Sequence, residues 1–108
     1  MGSSTLARGN IDAEKLFSIS ITPAQVAATT SAEQSFTVLG INVGDYINIA
    51  SAAAQTAGIL IGNCRVSAQN TLTVQFANVT AQAATPVAGT YGVIWGSPES
   101  LPLDSNAL

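Results

Sequence analysis

The chain contains no histidine, one cysteine and only three basic residues among 108. Without histidine it lacks the commonest general base and the commonest metal ligand of proteins. Its single cysteine, Cys64, cannot form an intramolecular disulfide and cannot build a thiolate metal site alone. We therefore expect no enzymatic activity and no cofactor.

Charge is also scarce. Only 8% of the residues are charged and the formal net charge is −3, whereas soluble domains carry roughly 25% charged residues. Three cationic side chains do not form a surface that neutralises phosphates, so we expect no nucleic-acid binding and no polybasic membrane attachment. No apolar stretch reaches the roughly 18 residues of a membrane span, and no signal peptide is readable at the N-terminus.

The few charges cluster near the ends of the chain. Residues 16–98 carry only Glu33, Asp45 and Arg65. A length of 108 residues suits one domain. We therefore divide the chain into an N-terminal arm (1–15), a folded domain (16–96) and a C-terminal tail (97–108).

The domain shows the alternation of apolar and polar residues that is typical of strands. Phe17, Ile19 and Ile21 alternate with small polar residues, which is the period of a half-buried strand. Similar segments occur at 36–38, 46–49, 72–76 and 91–95, and a continuous apolar run covers 59–61. Arg65 and Val66 would continue this last strand beyond a bulge at Gly62.

Six or seven short strands separated by turn residues predict an all-β domain, a small antiparallel β-sandwich or barrel of jelly-roll-like type. The Ala-rich stretches 25–32 and 50–57 are expected to be loops, because their Ser and Thr content disfavours helix. Large apolar residues are few, and the sheet surface lacks the charges that discourage edge pairing. This combination predicts that part of the neutral surface is an interface, most simply within a homo-oligomer.

Two isolated charges stand out in the domain. Asp45 and Arg65 could orient a polar ligand in a cleft, or they could form a structural ion pair, which we favour because isolated charges in neutral domains are usually paired. A small hydrolase built on them remains a third functional alternative. Cys64 has no base to activate it and is expected in the core. Asn78-Val79-Thr80 matches a glycosylation sequon.

Aromatic and N-terminal residues supply the candidate interface. Tyr46, Tyr91 and Trp95 could stack on a sugar ring, or they could belong to the core or to a protein interface. Arg8, Asp12 and Lys15 of the arm are the remaining interface candidates, because such arms often dock on a partner.

The order of segments resembles a small β-domain of virion proteins of tailed bacteriophages. The resemblance covers residues 19–95 and is carried by 21–23, 26–28, 31–38, Gly40, 43–45, 57–59, 65–66, 72–81 and 85–91. It implies a non-enzymatic capsid decoration (cement) protein, assembled as a homotrimer, that binds the major capsid protein and stabilises the shell. Such a protein would be made in the host cytoplasm and end on the capsid surface. The alternative is a receptor- or carbohydrate-binding module of a phage head or tail fibre.

Overall fold

A computed structural model of the chain describes residues 11–99. These residues form six strands and no helix. The strands are β1 (Ile11–Ile21), β2 (Thr30–Thr37), β3 (Tyr46–Ser51), β4 (Ile59–Ala68), β5 (Thr71–Asn78) and β6 (Gly89–Pro98).

The strands form two antiparallel sheets of three strands each, with the orders β1-β6-β3 and β2-β5-β4. The two sheets pack against each other, so the predicted all-β sandwich is confirmed. The two sheets approach each other along the edge where β3 faces β4. Among the described residues there is no helix long and apolar enough to cross a membrane.

The core lies between the sheets and follows the alternation read from the sequence. In the first sheet, Phe17 pairs with Val93 and Ile19 pairs with Tyr91, so these side chains point inward together. In the second sheet, Leu72, Val74 and Phe76 of the central strand are completely buried. The buried core residues are Ile21, Val26, Val38, Ile41, Ile47, Ile49, Ile59, Val66, Leu72, Val74, Phe76, Tyr91 and Val93.

The bulge expected in β4 is present. Its register with β5 shifts between Ile61 and Cys64, where Asn63 N donates a 3.2 Å hydrogen bond to Gln75 Oε1. A Cβ atom on Gly62 would lie 2.6 Å from the same oxygen. Glycine at this position therefore lets the Gln75 side chain satisfy the backbone that the bulge leaves unpaired.

The turn between β4 and β5 also fixes a neighbouring loop. Asn70 has a φ of +62°, which asparagine tolerates better than most residues. Its backbone N donates to Ile41 O at 2.8 Å, its carbonyl accepts from Val38 N at 3.0 Å, and its Oδ1 accepts from Gly40 N at 2.8 Å. The turn thereby holds buried Val38 and Ile41 against the core.

Strand boundaries differ from the expected division of the chain. β1 begins at Ile11, so residues 11–15 belong to the sheet and not to an arm. They are in a strand despite their charges because they pair with the end of β6, and their charged side chains lie exposed. β6 likewise extends into the expected tail, to Pro98.

β2 begins earlier than the sequence indicated. It starts at Thr30, inside a stretch expected to be a loop, and pairs along its full length with β5. All eight of its residues are exposed or half-buried, and Phe36 is the only large apolar one. The segment therefore shows almost no apolar alternation. The remaining Ala-rich segments are loops, and one is anchored by a bridge between Val26 and Ala84, with N···O distances of 2.8 and 3.1 Å.

Candidate interaction surface

The outer face of the first sheet carries three of the four large apolar side chains that are exposed on the described strands: Leu16, Tyr46 and Ile94. The register places Leu16 of β1 opposite Ile94 of β6, which in turn lies opposite Asn48 of β3. Leu16 is 74% exposed and Ile94 is 45% exposed. Side chains of this size on neighbouring strands form one contiguous apolar surface.

Small residues beside these two side chains leave a depression in the sheet. Gly92 lies on the same face of β6, two residues before Ile94. Its neighbours across the sheet are Ser18 and Ala50. A groove of about 400 Å³ runs beside Leu16, Ala50, Gly92 and Ile94. A Cβ atom on Gly92 would come no closer than 4.0 Å to any atom, the carbonyl oxygen of Ala50. We call this surface, formed by Leu16, Ser18, Ala50, Gly92 and Ile94, the Leu16–Ile94 patch.

A second groove adjoins the patch near the end of the sheet. It measures about 440 Å³ and is bordered by Ile11, Glu14, Tyr46 and Pro98. Tyr46 is 62% exposed and lies opposite Gly96 of β6. Because Gly96 has no side chain, the Tyr46 ring can lie over the strand, and Gly96 itself is buried.

The outer face of the second sheet is different, because its polar groups bind one another. Arg65 of β4 reaches across β5 to Glu33 of β2, and two guanidinium nitrogens donate to the two carboxylate oxygens at 2.9 Å. Thr73 Oγ1 lies between the hydroxyls of Ser35 (2.9 Å) and Ser67 (2.7 Å). These side chains therefore find their hydrogen-bond partners within the sheet.

The ion pair shifts the pKa values of Glu33 and Arg65. The hydrogen bond from Arg65, reinforced by its positive charge, lowers the pKa of Glu33 below its usual value. The same pair raises the pKa of Arg65. Both side chains are about half exposed, so solvent screens much of this interaction.

The expected Asp45–Arg65 ion pair is wrong, since Arg65 binds Glu33. Asp45 instead uses Oδ2 to accept hydrogen bonds from Asn42 N at 2.9 Å and from Trp95 Nε1 at 2.8 Å. The register explains the difference. Glu33 and Arg65 lie on the same outer face of one sheet, while Asp45 precedes β3 of the other sheet and turns toward Trp95.

The three aromatic candidates have separate environments. Tyr91 is completely buried and its hydroxyl donates to Val87 O at 2.7 Å, so it cannot be part of an exposed interface. Trp95 is half-buried and packs against the core. Tyr46 is the exposed member. The alternation Tyr91-Val93-Trp95 contained this signal, because it places Tyr91 on the same face as Val93.

The N-terminal candidates are only partly described. Asp12 and Lys15 are exposed on β1, and the Lys15 ammonium lies 5.9 Å from the centre of the Phe17 ring. Arg8 lies outside the described residues. The sequence did not single out Leu16 or Ile94, which carry the apolar surface, although the alternation of β1 would have assigned Leu16 to the outer face.

Two other sequence features have structural roles. Cys64 is half-buried against the core, and burial raises the pKa of its thiol. Asn78 of the sequon is 1% exposed, and its amide nitrogen donates to Val26 O at 3.1 Å and to Gln82 O at 2.8 Å. This amide is therefore inaccessible in the folded domain. No group of three or more potential metal ligands occurs among residues 11–99.

The chain has no significant match to a protein-family model, to a curated protein or to a solved structure.

Proposed function

We propose that the chain is a capsid decoration protein, which binds between capsid subunits as a homotrimer and stabilises the shell. The observation that carries the proposal is the Leu16–Ile94 patch, where a long aliphatic side chain on an ordered strand is 74% exposed beside a groove of about 400 Å³. Exposed contiguous apolar surface of this kind is typical of a protein interface.

The chemistry of the patch suits a second copy of the chain. Its members are aliphatic or small, and none is charged, so the patches of neighbouring copies meet without like-charge repulsion. The protruding Leu16 and the depression beside Gly92 are complementary features of one surface. The number of three copies and the identity of the capsid partner rest on the resemblance to bacteriophage virion proteins.

Contacts with the capsid are assigned to the start of β1. Asp12, Glu14 and Lys15 are exposed there, and they bring both signs of charge to a chain that is otherwise nearly neutral. In a trimer this segment is present three times. Three weak contacts on one rigid assembly combine through effective concentration into firm attachment.

The described charges in the rest of the domain serve its structure. Glu33 and Arg65 bind each other, and Asp45 fixes Asn42 and Trp95. This arrangement favours a structural role over the small hydrolase that the sequence left open.

The proposal is tested with particles assembled with and without the protein. Particles that carry it are expected to resist heat and osmotic shock better, and full occupancy is expected to need the patch. Leu16→Asn is expected to lower occupancy, because burial of a leucine side chain is worth about 1.5–3 kcal/mol per copy. The matched control is Leu60→Asn, which changes an exposed leucine on the other sheet. Equal robustness of bare and decorated particles would contradict the cementing role.

A further inference from the structure

A polar groove opens along the edge where β3 of one sheet faces β4 of the other. It measures about 500 Å³, which lies within the range of small-molecule sites in proteins. Its lining includes Asp45, Tyr46, Asn63 and Arg65. We call it the β3–β4 groove. It lies at the β3 edge of the first sheet, and Leu16 lies on the opposite edge strand, β1.

Several polar atoms in this groove have no partner among residues 11–99. Both intramolecular hydrogen bonds of the Asp45 carboxylate use Oδ2, which leaves Oδ1 as a free acceptor. The Asn63 side-chain amide and the Tyr46 hydroxyl make no hydrogen bond to the described residues. Arg65 lines the groove from β4, but its guanidinium reaches across β5 to Glu33 and is directed away from the groove.

Local hydrogen bonds position two of these residues. Asp45 is fixed by its bonds with Trp95 and Asn42. Asn63 belongs to the bulge, where its backbone N is bound by Gln75. Fixed donors and acceptors bind a ligand at a lower entropic cost than mobile ones.

We propose that the β3–β4 groove binds a neutral oligosaccharide. An exposed tyrosine offers a flat apolar ring with a polar tip, and it shares the groove with a carboxylate and an amide. These two groups match the alternating donors and acceptors of sugar hydroxyls. The proposal goes beyond capsid attachment and does not rest on it, because Asp45, Tyr46 and Asn63 lie outside the Leu16–Ile94 patch.

The charges that line the groove favour an uncharged ligand over an anionic one. Arg65 is paired with Glu33, whereas the donors that Asp45 binds are uncharged. The lining therefore carries an excess negative charge, which disfavours uronic acids, sialic acids and phosphorylated sugars.

The test is a titration of the ¹⁵N-labelled full chain with cellotetraose, maltotetraose, chitotetraose and, as an anionic probe, tetragalacturonate. At least one neutral tetrasaccharide is expected to shift the amide resonances of Tyr46 and Asn63 with a Kd on the order of 1 mM. Asn63→Ala is expected to weaken this binding about fivefold, because one net hydrogen bond is lost. Tyr46→Ala is expected to abolish it, whereas Tyr46→Phe retains the ring and most of the affinity.

The matched control is Gln25→Ala, which removes an exposed amide from a loop outside the groove and is expected to leave the Kd unchanged. The proposal is overturned if none of the neutral sugars shifts these resonances, if the shifts map to the Leu16–Ile94 patch, or if tetragalacturonate binds more tightly than every neutral sugar. None of these results bears on capsid attachment, which is measured on particles.

Discussion

The indole N–H of Trp95 donates a 2.8 Å hydrogen bond to Oδ2 of Asp45. The same oxygen accepts a 2.9 Å hydrogen bond from Asn42 N, and Asp45 N donates back to Asn42 O at 3.0 Å. One carboxylate oxygen thus joins the turn before β3 to the central strand β6. This contact fixes the edge strand that borders both the patch and the β3–β4 groove.

Removal of the Asp45 side chain is expected to destabilise the domain. Asp45→Ala leaves the half-buried indole N–H without its partner, and we expect a loss of about 1–3 kcal/mol in the free energy of unfolding by urea. Trp95 is the only tryptophan, so its fluorescence reports directly on this contact and its emission should shift. Asp45→Asn, which keeps an acceptor oxygen, is the control and should lose less. Equal stability of the Ala variant and the wild type would contradict this role.

The Glu33–Arg65 pair makes the stability of the domain depend on pH in the acidic range. The pKa of Glu33 is lower in the folded protein than its ordinary value, so its contribution is present above the ordinary pKa and is lost as the pH falls through the lowered value. Urea midpoints measured from neutral pH into the acidic range should fall less steeply for Glu33→Gln than for the wild type. Glu14→Gln, an exposed residue without an ion pair among residues 11–99, should follow the wild type.

Gly58 is expected to be the least replaceable glycine of the described turns. Its φ is +82°, and an added Cβ would collide with Cγ2 of Thr80. Gly40 has a φ of +97° with nothing within 4 Å of an added Cβ, so Gly40→Ala measures the backbone cost alone, about 1 kcal/mol. Gly58→Ala should cost about 1–3 kcal/mol more, as overpacking does.

A second substitution separates the collision from the backbone cost at Gly58. Thr80→Ser removes Cγ2 but keeps the hydroxyl that binds Asn78 Oδ1 at 2.7 Å. Adding it to Gly58→Ala should restore stability toward that of Gly40→Ala in thermal unfolding. No restoration would mean that the collision is not the cause.

The buried Asn78 amide should contribute far more to the free energy of unfolding than an exposed amide does. It donates to Val26 O and Gln82 O and accepts from Thr80 N at 2.9 Å. Asn78→Ala leaves these groups unsatisfied and should cost at least about 2 kcal/mol of unfolding free energy. Asn63→Ala, the same change at an exposed position, should cost less than about 0.5 kcal/mol. Similar losses for both variants would contradict the assignment.

The strands with apolar alternation could be predicted from the sequence, and those without it could not. Phe17, Ile19 and Ile21 marked β1, and Gly62 marked the bulge of β4, because each is a local property of the chain. The sequence predicts a later start for β2 and an arm over 11–15, because neither segment alternates large apolar and polar residues. Both segments are strands because they pair with β5 and β6. These partners are far away along the chain, so the pairing leaves no pattern in the sequence of the segments themselves.

The site residues show the same limit. The scarcity of charges favours an ion pair between Asp45 and Arg65, but the register of the second sheet brings Glu33 to Arg65 across β5. Tyr91 could have been assigned to the core from its alternation with Val93. The alternation of β1 could also have assigned Leu16 to the outer face. It could not show that Ile94 lies beside Leu16, because that depends on the strand order of the sheet.

The most direct test of the central claim is the native mass of the purified protein across a dilution series, measured for the wild type and for Leu16→Asn. The wild type is expected to be a trimer, three times 10.9 kDa. The Leu16→Asn trimer is expected to dissociate at a higher concentration than the wild type, and Leu60→Asn is expected to behave as the wild type. A wild-type monomer at every concentration, or a trimer that Leu16→Asn leaves unchanged, would contradict the claim that the Leu16–Ile94 patch joins copies of this chain.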